Sequence, residues 1–195
     1  HKRQITYPSK VLVEKQDYFE PVIDLVDMYL GLAEKYEMKF FFGTYDSGYY
    51  WHKGEFQKEI DINKAVVEEV WKKYGQRKAF QGWYLTQEVS RRTAGIIDVY
   101  AEMGRFCKSL DNNNLPTMIS PWMDGIKNPM GNANELYRAD GVTPEEHEKE
   151  WDDVMAGIAG AVDIVAFQDG HVDFHELPTY LEINKKLADK YGLQC

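Results

Sequence analysis

An α/β domain built on a parallel sheet is the fold class this sequence predicts, on three observations. Strand-like and helix-like segments alternate from one end to the other, and no repeat, low-complexity tract or Pro/Gly/Ser linker divides the chain. The long connections follow strands and precede helices, whereas the returns from helix to strand are short. The strands are short and nearly continuous in apolar residues, as in Met38-Lys39-Phe40-Phe41-Phe42-Gly43, which is the pattern of strands covered on both faces. In parallel α/β folds, open or closed into a barrel, the loops beyond the strand C-termini form the ligand face. One domain over residues 1–195 should therefore carry its functional residues at those strand ends.

The elements follow in order. Residues 4–7 form a short extended fragment. Asp17 is placed to cap a helix that turns Phe19, Val22, Ile23, Val26, Tyr29, Leu30 and Ala33 inward. The strand ending at Gly43 runs into the polar, aromatic segment 44–51. An amphipathic helix over 61–74 carries Val66, Val67, Val70 and Trp71 on one stripe and stops at Gly75. A strand over 80–86 ends in Gln87-Glu88, and a helix from about Thr93 turns Ile96, Ile97, Tyr100, Met103 and Cys107 inward. Asn112-Asn113-Asn114 is a turn, 115–120 a strand and 121–141 a long polar loop. Thr143-Pro144-Glu145-Glu146 is a capping box with proline at the first helical position, opening a helix that buries Trp151, Val154, Met155 and Ile158. His147 falls on that helix's exposed face. A strand over 162–167 closes in Gln168-Asp169-Gly170, and a last helix over 176–191 ends at Gly192.

Composition narrows the partners. With 44% hydrophobic and 14% aromatic residues the chain can build a core, which excludes intrinsic disorder. Its 23 Lys+Arg against 32 Asp+Glu, a net charge of −9, argue against a grip on nucleic-acid phosphates or anionic lipid. No apolar stretch approaches the roughly 18 residues of a membrane span, and the first residues lack a signal-peptide core. A first residue of His suggests a piece of a longer or processed polypeptide. The two cysteines make no disulfide framework: Cys107 is expected as a buried thiol and Cys195 as a terminal one, neither a nucleophile.

The predicted strand ends collect Tyr45 and Asp46, Gln87 and Glu88, Trp122 and Asp124, and Gln168 and Asp169. With Tyr84 and Trp51 nearby, these carboxylates, amides and rings make a composition suited to sugars: aromatic faces cover the C–H patches of a pyranose while amides and acids bond its hydroxyls. A carbohydrate ligand is the expected partner. Solvated loops with incidental acids are the bland alternative. Glu88 is the sharpest candidate. Alternation sets Gly82, Tyr84, Thr86 and Glu88 on one side of the strand and Trp83 and Leu85 on the other, so Glu88 faces the sheet interior at its ligand end if the large apolar pair faces the helices. Partial desolvation there would raise its pKa toward the range that protonates a leaving group; the competing reading is an acid in the first turn of the next helix.

Asp169, His171, Asp173, His175 and Glu176 crowd one loop, but both histidines precede the helix instead of lying one turn apart on it. The cluster is therefore read as a solvated helix N-terminus and no metal is assigned. His52 is read as a surface residue. The glycines have no dinucleotide or phosphate-loop spacing, and no cofactor is expected.

Residues 40–45, the run Gln81-Gly82-Trp83-Tyr84-Leu85-Thr86-Gln87-Glu88, residues 115–122 and the run 162–170 ending in Gln168-Asp169-Gly170 resemble, in order and spacing, an uncharacterised bacterial family of glycoside-hydrolase-like (β/α)8 barrels. The resemblance covers most of the chain. It implies a TIM-type barrel and an exported setting, secreted, periplasmic or at the cell surface. By analogy with retaining glycosidases it also implies Glu88 as acid/base at the fourth-strand position, with Gln87 where active members commonly carry Asn. Four strands and a possible fifth fragment fall short of the eight in a closed barrel. The expectation is thus a partial barrel, the central part of a longer one, its strands in sequential order and its open edges covered by remaining strands or another chain. The partner of Glu88, about 5 Å away in a retaining enzyme, would come from beyond Cys195, with Asp46 and Asp169 the candidates inside the chain. The resulting reading is a glycoside hydrolase using Glu88; the alternative is a non-catalytic carbohydrate-binding or scaffold module derived from a barrel.

Overall fold

A computed structural model describes residues 4–112, 114–125 and 141–195. Four parallel strands, β1 (Phe40–Gly43), β2 (Phe80–Leu85), β3 (Thr117–Ile119) and β5 (Ile164–Val165), form a sheet in the order β1-β2-β3-β5. Phe42 stands opposite Trp83, Tyr84 opposite Met118 and Ile119 opposite Val165. Strand order follows chain order, as the strand/helix alternation predicts. Beyond β5 the sheet gains one more parallel contact, where Gln194 donates its N–H to the Asp163 carbonyl at 2.8 Å and accepts from Val165 N–H at 2.8 Å. The fragment at residues 4–7 does not join this sheet: Gln4 bridges Phe19, and the buried Tyr7 sets its ring edge-on to Phe42 at 6.1 Å.

The helix-facing side of the sheet is the core. Trp83, Leu85, Ile119 and Val165 are all at most 1% exposed. They belong to the same buried cluster as Val66, Val67 and Val70 of α3 (Phe56–Tyr74), Tyr100 and Met103 of α4 (Ile96–Leu110), Trp151 and Met155 of α5 (Pro144–Ile158) and Leu187 of α6 (Leu177–Tyr191). These are the helical stripes legible in the sequence. Gly104 lets α4 close on the chain before β5, since a Cβ there would collide with the Ala161 carbonyl. At the other end of α5, Thr143 and Glu146 make the expected reciprocal capping box, and Gly192 ends α6 in the left-handed conformation at φ 69°.

Several local expectations are corrected. A helix absent from the sequence reading, α1 (Lys10–Gln16), is capped by Ser9. Asp17 ends it in the left-handed conformation, φ 56°, instead of starting the next helix. That next helix, α2 (Leu25–Lys35), is capped by Asp24, which accepts from Asp27 N–H at 2.9 Å. Because it starts late, only Val26, Leu30 and Ala33 turn inward, and Phe19, Val22, Ile23 and Tyr29 are exposed. Met38 is exposed and Phe40 and Phe41 are half-buried, so the first strand is not covered on both faces by the described residues. The third helix begins at Phe56, five residues before the expected Asp61. Gly75 closes it with right-handed φ and ψ, and the Trp71 ring occupies the space a Cβ would need.

The largest topological difference is a second parallel ribbon, β4 (Trp122–Asp124) with β6 (Gln168–His171), where the sequence suggests loops. It continues β3 and β5 across a short break. Pro121 has no N–H to offer there, and the join is made by Gln168 N–H to the Pro121 carbonyl (2.8 Å), Gln168 Nε2 to the Ser120 carbonyl (2.7 Å) and Ser120 Oγ to the Ala166 carbonyl (2.9 Å). Of the expected turn and the loop at 121–141, Asn113 and residues 126–140 lie outside the described residues.

His147 is 1% exposed, not on the solvent face. The cap at Thr143 sets the helical phase so that His147 lies one turn before Trp151, on the buried stripe. Its Nε2 meets Asn184 Oδ1 at 2.7 Å, Asn184 donates to the Met123 sulfur at 3.0 Å, and the Tyr180 ring stands 5.2 Å away. Burial holds the imidazole below its ordinary value of 6.5, with the Asn184 bond opposing in part. The unfolded chain therefore binds the proton more readily than the fold. This contribution to stability is complete above the ordinary value and is lost as pH falls below it toward the folded value. Urea melts from about pH 8 to about pH 5 should show a loss of stability on acidification that is smaller in His147→Gln; an unchanged slope would exclude His147 as its source.

Candidate functional site

Beyond its last paired residue, β2 keeps its alternation. Gln87 and Val89 continue the buried side begun by Trp83 and Leu85, while Tyr84, Thr86 and Glu88 hold the other. On that side Gly82 has no side chain because the Phe41 ring lies over it. Glu88 is exposed, and both its oxygens are oriented: Tyr84 O–H donates to Oε1 at 2.7 Å and Trp122 Nε1–H to Oε2 at 3.2 Å. Trp122 is in turn pinned by its own N–H, which donates to the Val89 carbonyl at 2.9 Å. Burial pushes the Tyr84 phenol well above its ordinary range, and the bond to Glu88 and its charge add to this, so Tyr84 stays protonated as a donor. The helix after Glu88 starts only at Ile96, which removes the reading of Glu88 as a first-turn acid. The desolvation suggested for it by the sequence is not supplied by the described residues, since the side chain is open to solvent.

Gln87 and Trp51, expected among the ligand contacts, are buried at 2% and 7% exposure and act as braces. Gln87 Nε2 donates to Glu59 Oε1 (2.8 Å) and to the Tyr45 carbonyl (3.1 Å), and its own carbonyl accepts from Tyr100 O–H. Glu59, fully buried on α3, also accepts from Ser47 N–H (3.3 Å) and Asn63 Nδ2 (3.4 Å) through Oε1, while its Oε2 has no partner. Asn63 grips both the N–H and the carbonyl of Tyr45, at 2.8 and 2.7 Å. One helix thus ties the segment after β1 to the residue just before Glu88. The sequence reading missed Glu59 and Asn63, yet they extend the stripe of Val66, Val67 and Val70 at helical spacing, and polar residues on a buried stripe are the signal of such a network.

Asp46 is also engaged: its Oδ1 accepts from Gly48 N–H (2.7 Å) and Trp51 Nε1–H (2.8 Å), and the Trp51 ring lies 3.8 Å from that of the exposed His52. Tyr45 is half-buried, its hydroxyl 3.3 Å from that of Tyr18. Both border a cavity of about 200 Å³ beside β1, next to Tyr18 and Thr44. Glu88 does not line it. On the other flank, Gln168 is registered opposite Trp122 and Asp169 follows it, exposed. The structure therefore groups Tyr84, Glu88, Trp122 and Gln168 at adjoining strand ends and sets Tyr45, Asp46 and Trp51 in a separate braced segment. Among the described residues no three His, Cys, Asp or Glu side chains could share a metal ion, and Asp173 Oδ1 instead accepts from His175 N–H at 2.9 Å. Among the same residues no helix is long and apolar enough to cross a membrane.

No curated protein matches the chain. Among solved structures it is similar to a crystal structure of a "putative alpha-L-fucosidase" from Bacteroides thetaiotaomicron VPI-5482, with 51% sequence identity and a TM-score of 0.90. The match takes in 100% of this chain and 58% of that one, so the chain spans little more than half the length of that protein. A family model matches over residues 1–195, and the chain belongs to that family, DUF4434, a domain of unknown function.

Proposed function

We propose that this domain is the carbohydrate-active part of a glycoside hydrolase, with Glu88 as general acid/base and α-L-fucosides as the first substrate class to test. The observation that carries the reading is Glu88 itself: a solvent-accessible carboxylate at the C-terminal end of a parallel strand, its two oxygens oriented by a phenol and an indole. The fucosidase named for the similar structure supports the choice of sugar. In this reading Glu88 delivers a proton to the leaving glycosidic oxygen, Tyr84 and Trp122 fix the carboxyl plane, and the half-buried Trp122 and Gln168 meet the sugar. The site belongs to a (β/α) barrel whose remaining strands cover the free edge of β1, in a protein that works outside the cytoplasm.

The engagement of Asp46 with Gly48 and Trp51 favours a second reading, a non-catalytic sugar-binding module, because it withdraws one of the two acids considered as partners of Glu88. Release of nitrophenol from 4-nitrophenyl α-L-fucopyranoside and a panel of other aryl glycosides, with calorimetric titration of the free sugars, separates the two. Hydrolysis establishes the enzyme, binding without hydrolysis establishes the module, and neither would overturn both.

A further inference from the structure

Resting on the hydrolase reading, we infer that Asp124 is the second carboxylate of the site, acting as the base opposite Glu88 in a hydrolysis that inverts the anomeric centre. Strand geometry carries the inference. Met123 is fully buried and receives the Asn184 amide on its sulfur, so β4 turns Trp122 and Asp124 together toward the opposite face, the one on which the Trp122 indole meets Glu88. The pairing of Leu85 with Ile119, continued along both chains, sets Glu88 beside Trp122, as their contact shows. Asp124 is then the diagonal neighbour of Glu88. With strands about 4.8 Å apart and a rise of about 3.3 Å per residue, the two backbones stand about 8 Å apart on that diagonal, and both side chains leave the same face. Inverting glycosidases hold their carboxyl groups about 6.5–9.5 Å apart to admit a water, against about 5 Å in retaining ones.

The other acids fit less well. Asp46 is already bound to Gly48 and Trp51, and Asp169 is exposed in the stretch of β6 where the pairing with β4 shifts register, so no strand alternation aims it at Glu88. Asp124 is half-buried, its backbone carbonyl is fixed by Val142 N–H at 3.2 Å, and its charge adds to the effect of Glu150 in holding the nearby Arg91 guanidinium above its ordinary range. In the reaction Asp124 takes a proton from water as the water oxygen bonds the anomeric carbon. Glu88 gives its proton to the glycosidic oxygen as the old carbon–oxygen bond breaks. One water is consumed, and solvent returns the proton from Asp124 to Glu88.

Proton NMR of the sugar first released from an α-L-fucoside should show the β anomer. Asp124→Asn should lower kcat at least about 100-fold with KM changed little and an unaltered circular dichroism melt. In Asp124→Ala, sodium azide should restore turnover and yield a fucosyl azide of inverted configuration, because azide attacks without needing a base. Retained configuration, or wild-type turnover in Asp124→Asn, would overturn the assignment while leaving the hydrolase intact. Absence of hydrolysis by the unaltered protein would instead remove the hydrolase reading, and this inference with it.

Discussion

Glu88→Gln should reduce glycoside turnover by about 10²- to 10⁴-fold, the usual cost of losing a general acid/base, and leave the fold unchanged. The substitution is well matched to its surroundings. Trp122 Nε1–H can only donate, so the Gln carbonyl oxygen would turn to it; the Tyr84 hydroxyl can accept as well as donate, and would receive the amide N–H. No buried polar group is left unpaired, and exposed changes of this kind shift stability by about 0.5 kcal/mol or less. The checks are steady-state rates on an aryl glycoside, sugar affinity by calorimetry and the thermal midpoint. Turnover equal to the unaltered protein would remove Glu88 as the acid; a collapsed midpoint would make it a structural residue.

Glu59→Ala carries the largest expected effect on stability, a loss of about 2–4 kcal/mol. It removes the oxygen that receives Gln87, Ser47 and Asn63 in a fully buried setting. Gln87 and Asn63 keep bonds to Tyr45, but the Ser47 N–H is left without its acceptor, and an unsatisfied buried donor costs about 1–3 kcal/mol by itself. The unpartnered Oε2 sets the comparison. Glu59→Gln keeps an acceptor at Oε1 and places its amide where that oxygen was, so it should lose far less. Urea denaturation of both variants tests this, and equal losses would mean that volume, not the acceptor, is what α3 supplies.

Where regular periodicity met a clear cap, the sequence was a sufficient guide. The helix opened by Thr143-Pro144-Glu145-Glu146 begins where its box demands, and the parallel order of the four strands follows from the alternation of elements. Three physical causes account for the rest. A helix as short as α1 leaves too few turns for a stripe to show, so Asp17 looked like a start when it is an end. The apolar run from Phe19 to Ile23 has helical spacing yet contains Pro21 and lies ahead of the Asp24 cap, and spacing alone does not say which side a protein covers. Pro121 masked the β4–β6 ribbon, because its missing N–H breaks a strand in sequence while neighbouring side chains repair the ladder in space.

The site was legible in part for the same reasons. Alternation along β2 foretold the side on which Glu88 lies. Carried one step further it would also have set Gln87 on the buried side, which it shares with Trp83 and Leu85. The bond of Asp46 to Trp51 is an encounter across a turn, which no period describes.

The break between β3 and β4, and between β5 and β6, divides the sheet into two storeys with separate obligations. The lower strands answer to the helices through Ile119 and Val165, each fully buried. In the upper ribbon Met123, with its bond to Asn184, reaches the helical side, while Trp122 and Gln168 are half-buried at the candidate site. Heredity can therefore act on them separately. Substitutions at positions 122, 124 and 168 can change what the upper ribbon presents to solvent without disturbing the packing below, so descendants of one scaffold are free to diverge there while keeping the same core.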